Sequence, residues 1–209
     1  MAAPTRSSNL LYRDDRLIIQ FRFDEPAIRF QAQNISTEAM RFDWPMASLG
    51  LLGRSTPVRN LSTFYDSSAT IAAGQPIPPL SVVRDVILPW GNVTFDGKRW
   101  HERDLLPTTD GHSLSLKDSI LNMVGGTVDL ILPVAFGLDV RSYHFTFSID
   151  SVKQMAWDDY RLPPWLPPRP PERKVEPTTG DQITAAILAS GFLGFFAYML
   201  TAKKTPVSE

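Results

Sequence analysis

The 209-residue sequence contains no cysteine. That absence removes disulfides, thiolate zinc sites, iron–sulfur clusters, blue-copper centres and cysteine nucleophiles together. It also removes the lipid-modified cysteine of a lipoprotein anchor. Histidine is scarce: His101, His112 and His144 are the whole supply. No two of them stand at the i, i+4 spacing that sets a pair of zinc ligands on one helix face. An excess of one charge is missing as well. The 21 Lys and Arg against 22 Asp and Glu leave a formal net charge of -1. With no basic block interleaved with aromatics, nucleic acid is not an expected partner.

Enzyme signatures are also missing. Gly50, Gly53 and the pair Gly125-Gly126 make no phosphate-cradling pattern. Asp110, His112 and Ser113 bring triad residue types close in sequence, but no Gly-x-Ser-x-Gly elbow accompanies them, and a triad is defined by geometry rather than adjacency. His101-Glu102 and Asp110-Gly111-His112 offer hard metal ligands without a recognised spacing. Asp14-Asp15 and Asp158-Asp159 are adjacent carboxylates, and adjacent residues on a strand point to opposite faces. The expectation is a non-enzyme with no cofactor, metal or evident small-molecule substrate.

What the chain does have is strand patterning. Leu17-Ile18-Ile19-Gln20-Phe21-Arg22-Phe23 ends in alternation, and Ala27-Ile28-Arg29-Phe30-Gln31-Ala32-Gln33 alternates throughout. Both are the mark of a half-buried strand. Met40, Phe42 and Trp44 continue in phase after the turn-forming residues 34–38. Residues 81–88 and 127–136 are rich in Val, Ile and Leu between Pro and Gly, and residues 143–149 alternate strictly. Asp96-Gly97, between Val93-Thr94-Phe95 and Arg99-Trp100, predicts a hairpin. One short helix is predicted, over residues 116–123. Many short strands between turn signals predict a mainly β, immunoglobulin-like antiparallel β-sandwich, with an all-β barrel as the alternative.

The remaining organisation follows from composition. Residues 1–15 read as a polar N-terminal extension, because only Leu10-Leu11 is apolar before Arg13, and no signal-peptide core is expected. Residues 16–157 form the β-domain. The sequons at Asn34, Asn60 and Asn92 read as chance occurrences of a short motif. Residues 158–181 are a proline-rich linker containing Leu162-Pro163-Pro164-Trp165-Leu166-Pro167-Pro168-Arg169-Pro170-Pro171, which proline's fixed φ makes extended and semi-rigid.

Residues 182–203 are predicted to be one transmembrane helix, and residues 204–209 a tail. Residues 183–202 carry no charge, bracketed by Asp181 and Lys203-Lys204. At ~1.5 Å per residue such a run spans roughly 30 Å, the thickness of the hydrocarbon core. Ala186, Ser190 and Gly194 fall four apart with Ala197 near the same face, a small-residue stripe that lets helix backbones approach in lipid. Tyr198, Lys203 and Lys204 mark a membrane interface. Lys203 and Lys204 favour a cytoplasmic C-terminus, whereas Arg169, Arg173 and Lys174 favour the reverse. Without an export signal the span reads as a tail anchor in a bacterial inner membrane, its domain cytoplasmic, with a periplasmic domain as the alternative.

Residues 12–149 resemble a group of bacterial lipoprotein-like β-domains of unknown function. The resemblance rests on Phe30-x-x-x-Asn34-x-Ser36, Phe42-Asp43-Trp44, the stretch from Gly53-Arg54 to Val58, and Pro78-Pro79-x-Ser81 after Gly74. Asp85-Val86-Ile87-Leu88-Pro89, Trp100, Leu130-Ile131-Leu132-Pro133-Val134 and Tyr143-His144-Phe145-Thr146-Phe147 complete it. It implies a sandwich fold in an envelope-associated protein without enzymatic activity. The sequence departs from the group in lacking a lipobox cysteine and in placing its anchor at the opposite end.

Together these readings predict a non-catalytic, single-pass accessory or scaffolding subunit of a bacterial membrane complex, its helix packed on partner helices. Respiratory and photosynthetic assemblies commonly carry such subunits. The alternative is a membrane-tethered ligand- or peptide-binding module using exposed aromatics such as Trp90, Trp100 and Trp157, with Trp165 of the linker a further candidate for surface interaction.

Overall fold

A computed structural model of the chain describes residues 1–51, 53–68, 70–106, 122–151 and 167–173. Residues Met1–Pro171 form one compact unit, and Glu172–Glu209 a second. The first unit is mainly β, and the described strands pair antiparallel throughout. Its described strands are β1 (Leu11–Arg13), β2 (Leu17–Phe23), β3 (Ile28–Asn34), β4 (Met40–Phe42), β5 (Ser48–Leu51), β6 (Arg54–Arg59), β7 (Val82–Pro89), β8 (Val93–Phe95), β9 (Trp100–Glu102), β10 (Thr127–Phe136) and β11 (Asp139–Ser148). The main sheet runs β1-β2-β3-β7-β6-β5-β10-β11, with β4 also paired to β10, and β8-β9 form a separate hairpin.

The period-two residues supply the core. Leu17, Ile19 and Phe21 of β2, and Ile28, Phe30 and Ala32 of β3, are buried, while Gln20, Arg22 and Gln31 face solvent. Tyr143, Phe145 and Phe147 of β11 alternate in the same way with the exposed His144. These two sets lie at opposite ends of the strand order, yet their rings touch: Phe21 lies 4.8 Å from Phe145 and 5.1 Å from Phe147. The sheet therefore curls on itself, sandwich-like, into a half-barrel around one core. Its narrowest join is β6 to β7, where only Val58↔Pro89 and Arg59↔Leu88 pair.

β7 shows why alternation fails in places. Val86, Ile87 and Leu88 are all buried. Ile87 enters the main core, whereas Val86 and Leu88 face a second cluster with Ala27, Phe64, Val93 and Trp100. A strand covered on both faces reads as a continuous apolar run.

Pro133 sits inside β10 without breaking it. β5 pairs with residues 128–131 and β4 with residues 134–136, so Pro133 falls in the gap between them. Its carbonyl accepts from Asp43 N–H on that side. The missing proline N–H would have pointed the same way, where no ladder partner waits.

The N-terminal residues differ from the predicted extension. Leu11–Arg13 pair with β2, Met1 is buried, and Ala2 and Ala3 N–H donate to Thr146 O of β11. The segment is polar in sequence, but its backbone groups find partners along the seam where the curled sheet approaches closure.

That seam is tied by charge. Arg141 of β11 grips Asp15 with two bonds of 2.6 and 3.2 Å, and Arg16 bonds Asp139 at 2.8 Å. Tyr143 Oη donates to Asp14 at 2.8 Å. The adjacent carboxylates Asp14 and Asp15 thus share Arg141, 3.5 Å from Asp14, and Asp14 alone takes the Tyr143 hydroxyl.

Among the described residues no helix is long and apolar enough to cross a membrane. The predicted span over 182–203, most of the linker, and most of the short helix predicted over 116–123 lie outside the described residues.

Candidate functional site

The most developed polar–aromatic site sits on the β8–β9 hairpin. Asp96 builds the turn: its Oδ1 accepts from Lys98 and Arg99 N–H, each at 2.8 Å, and Gly97 takes a φ of +93 that favours glycine. The predicted Asp96-Gly97 hairpin is therefore present, with Phe95 opposite Trp100. On β9, Trp100 and Glu102 are two residues apart and share one face, while His101 between them is exposed.

Tyr65 meets that face from another element. Its Oη donates to Glu102 Oε1 at 2.7 Å, and its ring stands edge-on to Trp100 at 5.5 Å. Phe95 and Phe64 complete the aromatic cluster, 5.0 Å from Trp100 and 4.9 Å from Tyr65 respectively. Burial first, and then the Glu102 carboxylate, push the Tyr65 phenol up to about 12. It stays a neutral donor at ordinary pH.

The loop that presents Tyr65 is held from inside. Asn60 caps the short 3-10 turn Leu61–Thr63: its side chain accepts from Thr63 N–H, and the Thr63 side chain answers the Asn60 N–H. Arg59, only 4% exposed, donates to Thr63 O and Asp66 O and lies over the Trp90 ring.

Onto this platform comes the proline-rich segment. Arg169 Nε donates to Glu102 Oε1 at 2.9 Å. The Glu102 side chain is only 16% exposed, so its carboxylate is largely covered by this partnership.

The candidate residues named from sequence distribute as follows. Trp100 is 9% exposed and packs in the second cluster, and Trp90 is half-buried under Arg59. Neither is a freely exposed aromatic, because each ring has a partner within its own loop or hairpin. Trp157, Trp165, Ala186, Ser190, Gly194, Ala197, Tyr198, Lys203 and Lys204 lie outside the described residues, as do Asp110, His112 and Ser113. His101 bonds Asp96 Oδ2 at 2.6 Å on the solvent side of the hairpin, and His144 lies 3.6 Å from Asp129. Among the described residues no three of His, Asp and Glu group to hold a metal ion.

Asn34 and Asn60 have structural roles that account for their sequons. Asn34 is buried, donates to Glu38 O and Ile77 O, and accepts from the Ser36 hydroxyl at 2.7 Å. Asn60 likewise accepts from the Ser62 hydroxyl at 2.8 Å. In both, the Asn-x-Ser spacing is a side-chain-capped turn.

A shallow polar hollow of about 240 Å³ lies elsewhere, lined by Asp15, Arg16, Ile35, Ser36, Thr37 and Glu38. Its Asp15 and Arg16 are already engaged by Arg141 and Asp139 of β11 across the seam. Sequence reasoning missed Tyr65 and Arg59 and assigned Glu102 only to a loose metal-ligand group. The available signal was the hairpin itself, since period two places Trp100 and Glu102 on one face.

Comparison with protein-family models, curated proteins and solved structures found no match.

Proposed function

We propose that this chain is a non-catalytic, single-pass accessory subunit of a bacterial inner-membrane complex, with its β-domain held near the membrane surface on a proline-rich strut. The observation that carries the reading is the uncharged run 183–202, bracketed by Asp181 and Lys203-Lys204, on the far side of that strut. The bond from Arg169 to Glu102 supports it, because it fixes the middle of the strut to the domain. A freely swinging tether needs no such anchor. In this reading the stripe Ala186, Ser190, Gly194 and Ala197 packs on partner helices, Tyr198, Lys203 and Lys204 lie at the interface, and the domain is cytoplasmic.

The domain is read as an immunoglobulin-like sandwich related to the lipoprotein-like β-domains. The edge-on packing of Phe21 of β2 against Phe145 and Phe147 of β11 supports two layers around one core.

The test is purification of the full-length protein from membranes in mild detergent, beside a Ser190→Leu, Gly194→Leu variant. Wild type is expected to bring down a defined set of membrane subunits that the variant loses. A solitary wild-type monomer would sink the subunit reading. A second reading, a membrane-tethered peptide-binding module, is favoured by one specific observation: the domain already holds an arginine of a proline-rich segment.

A further inference from the structure

The platform of Tyr65, Trp100 and Glu102 combines two properties that seldom meet by accident. One is an aromatic pair, the half-buried Tyr65 standing edge-on to the buried Trp100 at 5.5 Å. The other is a carboxylate at its border, 16% exposed, oriented by the Tyr65 hydroxyl. Extended proline-rich peptides are recognised by this combination: aromatic faces receive the pyrrolidine rings, and a carboxylate receives a flanking guanidinium. The chain itself supplies such a peptide, Pro167-Pro168-Arg169-Pro170-Pro171. Within it Pro167 and Pro170 are half-buried, while Pro168, Arg169 and Pro171 are exposed. Three residues per turn is the repeat of a polyproline helix, so these two rings lie along one edge of the segment.

We infer that Tyr65, Trp100 and Glu102 form a docking site for arginine-bearing proline-rich segments, and that residues 167–171 are its resident occupant, held in cis. A lone ion pair does not account for the arrangement. Arg169 is 58% exposed, and an exposed pair stabilises by only about 0–1 kcal/mol. Pro167 and Pro170 are half-buried as well, and in this inference their rings rest at the aromatic border. The tethered occupant competes with any free peptide at an effective concentration on the order of millimolar. The site is thus masked in the intact chain and opens to a segment of the same chemistry when its own is released. This inference does not depend on the membrane reading: a monomer in the detergent experiment would leave it standing.

The test uses the full-length protein in mild detergent and a fluorescein-labelled peptide, Pro-Pro-Arg-Pro-Pro-Glu-Arg, copied from residues 167–173. Anisotropy titrations compare wild type, Arg169→Ala, and the double variant Glu102→Gln, Arg169→Ala. Arg169→Ala, which weakens the resident, should bind the peptide about two- to fivefold more tightly than wild type. The double variant should lose about two- to fivefold relative to Arg169→Ala, and alanine in place of the peptide's first arginine should weaken binding to Arg169→Ala by the same factor while leaving the double variant unchanged. Cooperative thermal unfolding of each variant establishes that the domain is intact. A second measurement reads the resident directly: the Arg169 Nε–H resonance in wild type should exchange slowly with solvent and should be lost to fast exchange in Glu102→Gln. Failure of the peptide to bind Arg169→Ala, or binding indifferent to Glu102, would overturn the inference and leave a bare surface ion pair.

Discussion

Removing the buried guanidinium of Arg59 should cost the domain about 3 kcal/mol. Its Nε donates to Trp90 O at 3.0 Å, and its Nη1 donates to Thr63 O at 2.7 Å and Asp66 O at 2.6 Å. The guanidinium carbon stands 3.9 Å from the Trp90 ring centroid. One side chain therefore joins the end of β6, the loop carrying Tyr65, and the turn after β7. A hydrogen bond from a charged donor contributes about 1.5–3 kcal/mol, and a covered cation–π contact about 1–2 kcal/mol. These contacts form one network and do not add, and burial opposes them by pulling the arginine below its ordinary value. Water also reaches part of the vacated space. The net for Arg59→Ala is then about 3 kcal/mol, or a fall in Tm of roughly 6–12 °C for a domain of this size. Arg59→Lys keeps the charge but loses the planar fork and the stacking, and should cost about 2 kcal/mol. Urea unfolding followed by tryptophan fluorescence reads both as shifts of the midpoint at constant slope. A lysine variant as stable as wild type would refute the reasoning, because a point charge would then suffice.

Asp85 should make the stability depend on pH. Its Oδ1 accepts from Leu61 and Val86 N–H, and burial raises its carboxyl above the ordinary 3.8. A raised carboxyl contributes stability that is full below 3.8 and is lost as pH rises through the folded-state value. Asp85→Asn, which retains the acceptor oxygen, should match wild type in acid and exceed it in urea midpoint at pH 7; a less stable variant at pH 7 would contradict this. Tyr143→Phe removes the 2.8 Å bond to Asp14 across the seam, and its unfolding free energy should fall by about 1 kcal/mol, read as a lower urea midpoint. Asn60→Ala removes the cap of the turn Leu61–Thr63 and should also cost about 1 kcal/mol by chemical denaturation. An unchanged midpoint in either variant would show that the bond contributes nothing net.

The local sequence determined the strands whose pattern is local. Leu17–Phe23 and Thr127–Phe136 have the predicted bounds, and the Asp96-Gly97 hairpin lies where its turn chemistry places it. A buried period-two face and a turn that tolerates positive φ are written in neighbouring residues, so neighbouring residues reveal them. Strands β5 and β6 were not legible, because Gly50 and Pro57 interrupt short segments whose pairing comes from β10 and from each other. β1 was read as a tail for the same reason. Its three residues, two of them exposed, are a strand only because β2 lies beside them. The site is less local still. Tyr65 and Glu102 are 37 residues apart, and Glu102 and Arg169 are 67 apart. No spacing rule joins a phenol, a carboxylate and a guanidinium on three separate segments; the curl of the sheet and the Arg59-held loop bring them together. Residue pattern decided which stretches are strands, and long-range closure decided which strands are neighbours and therefore what they present in common.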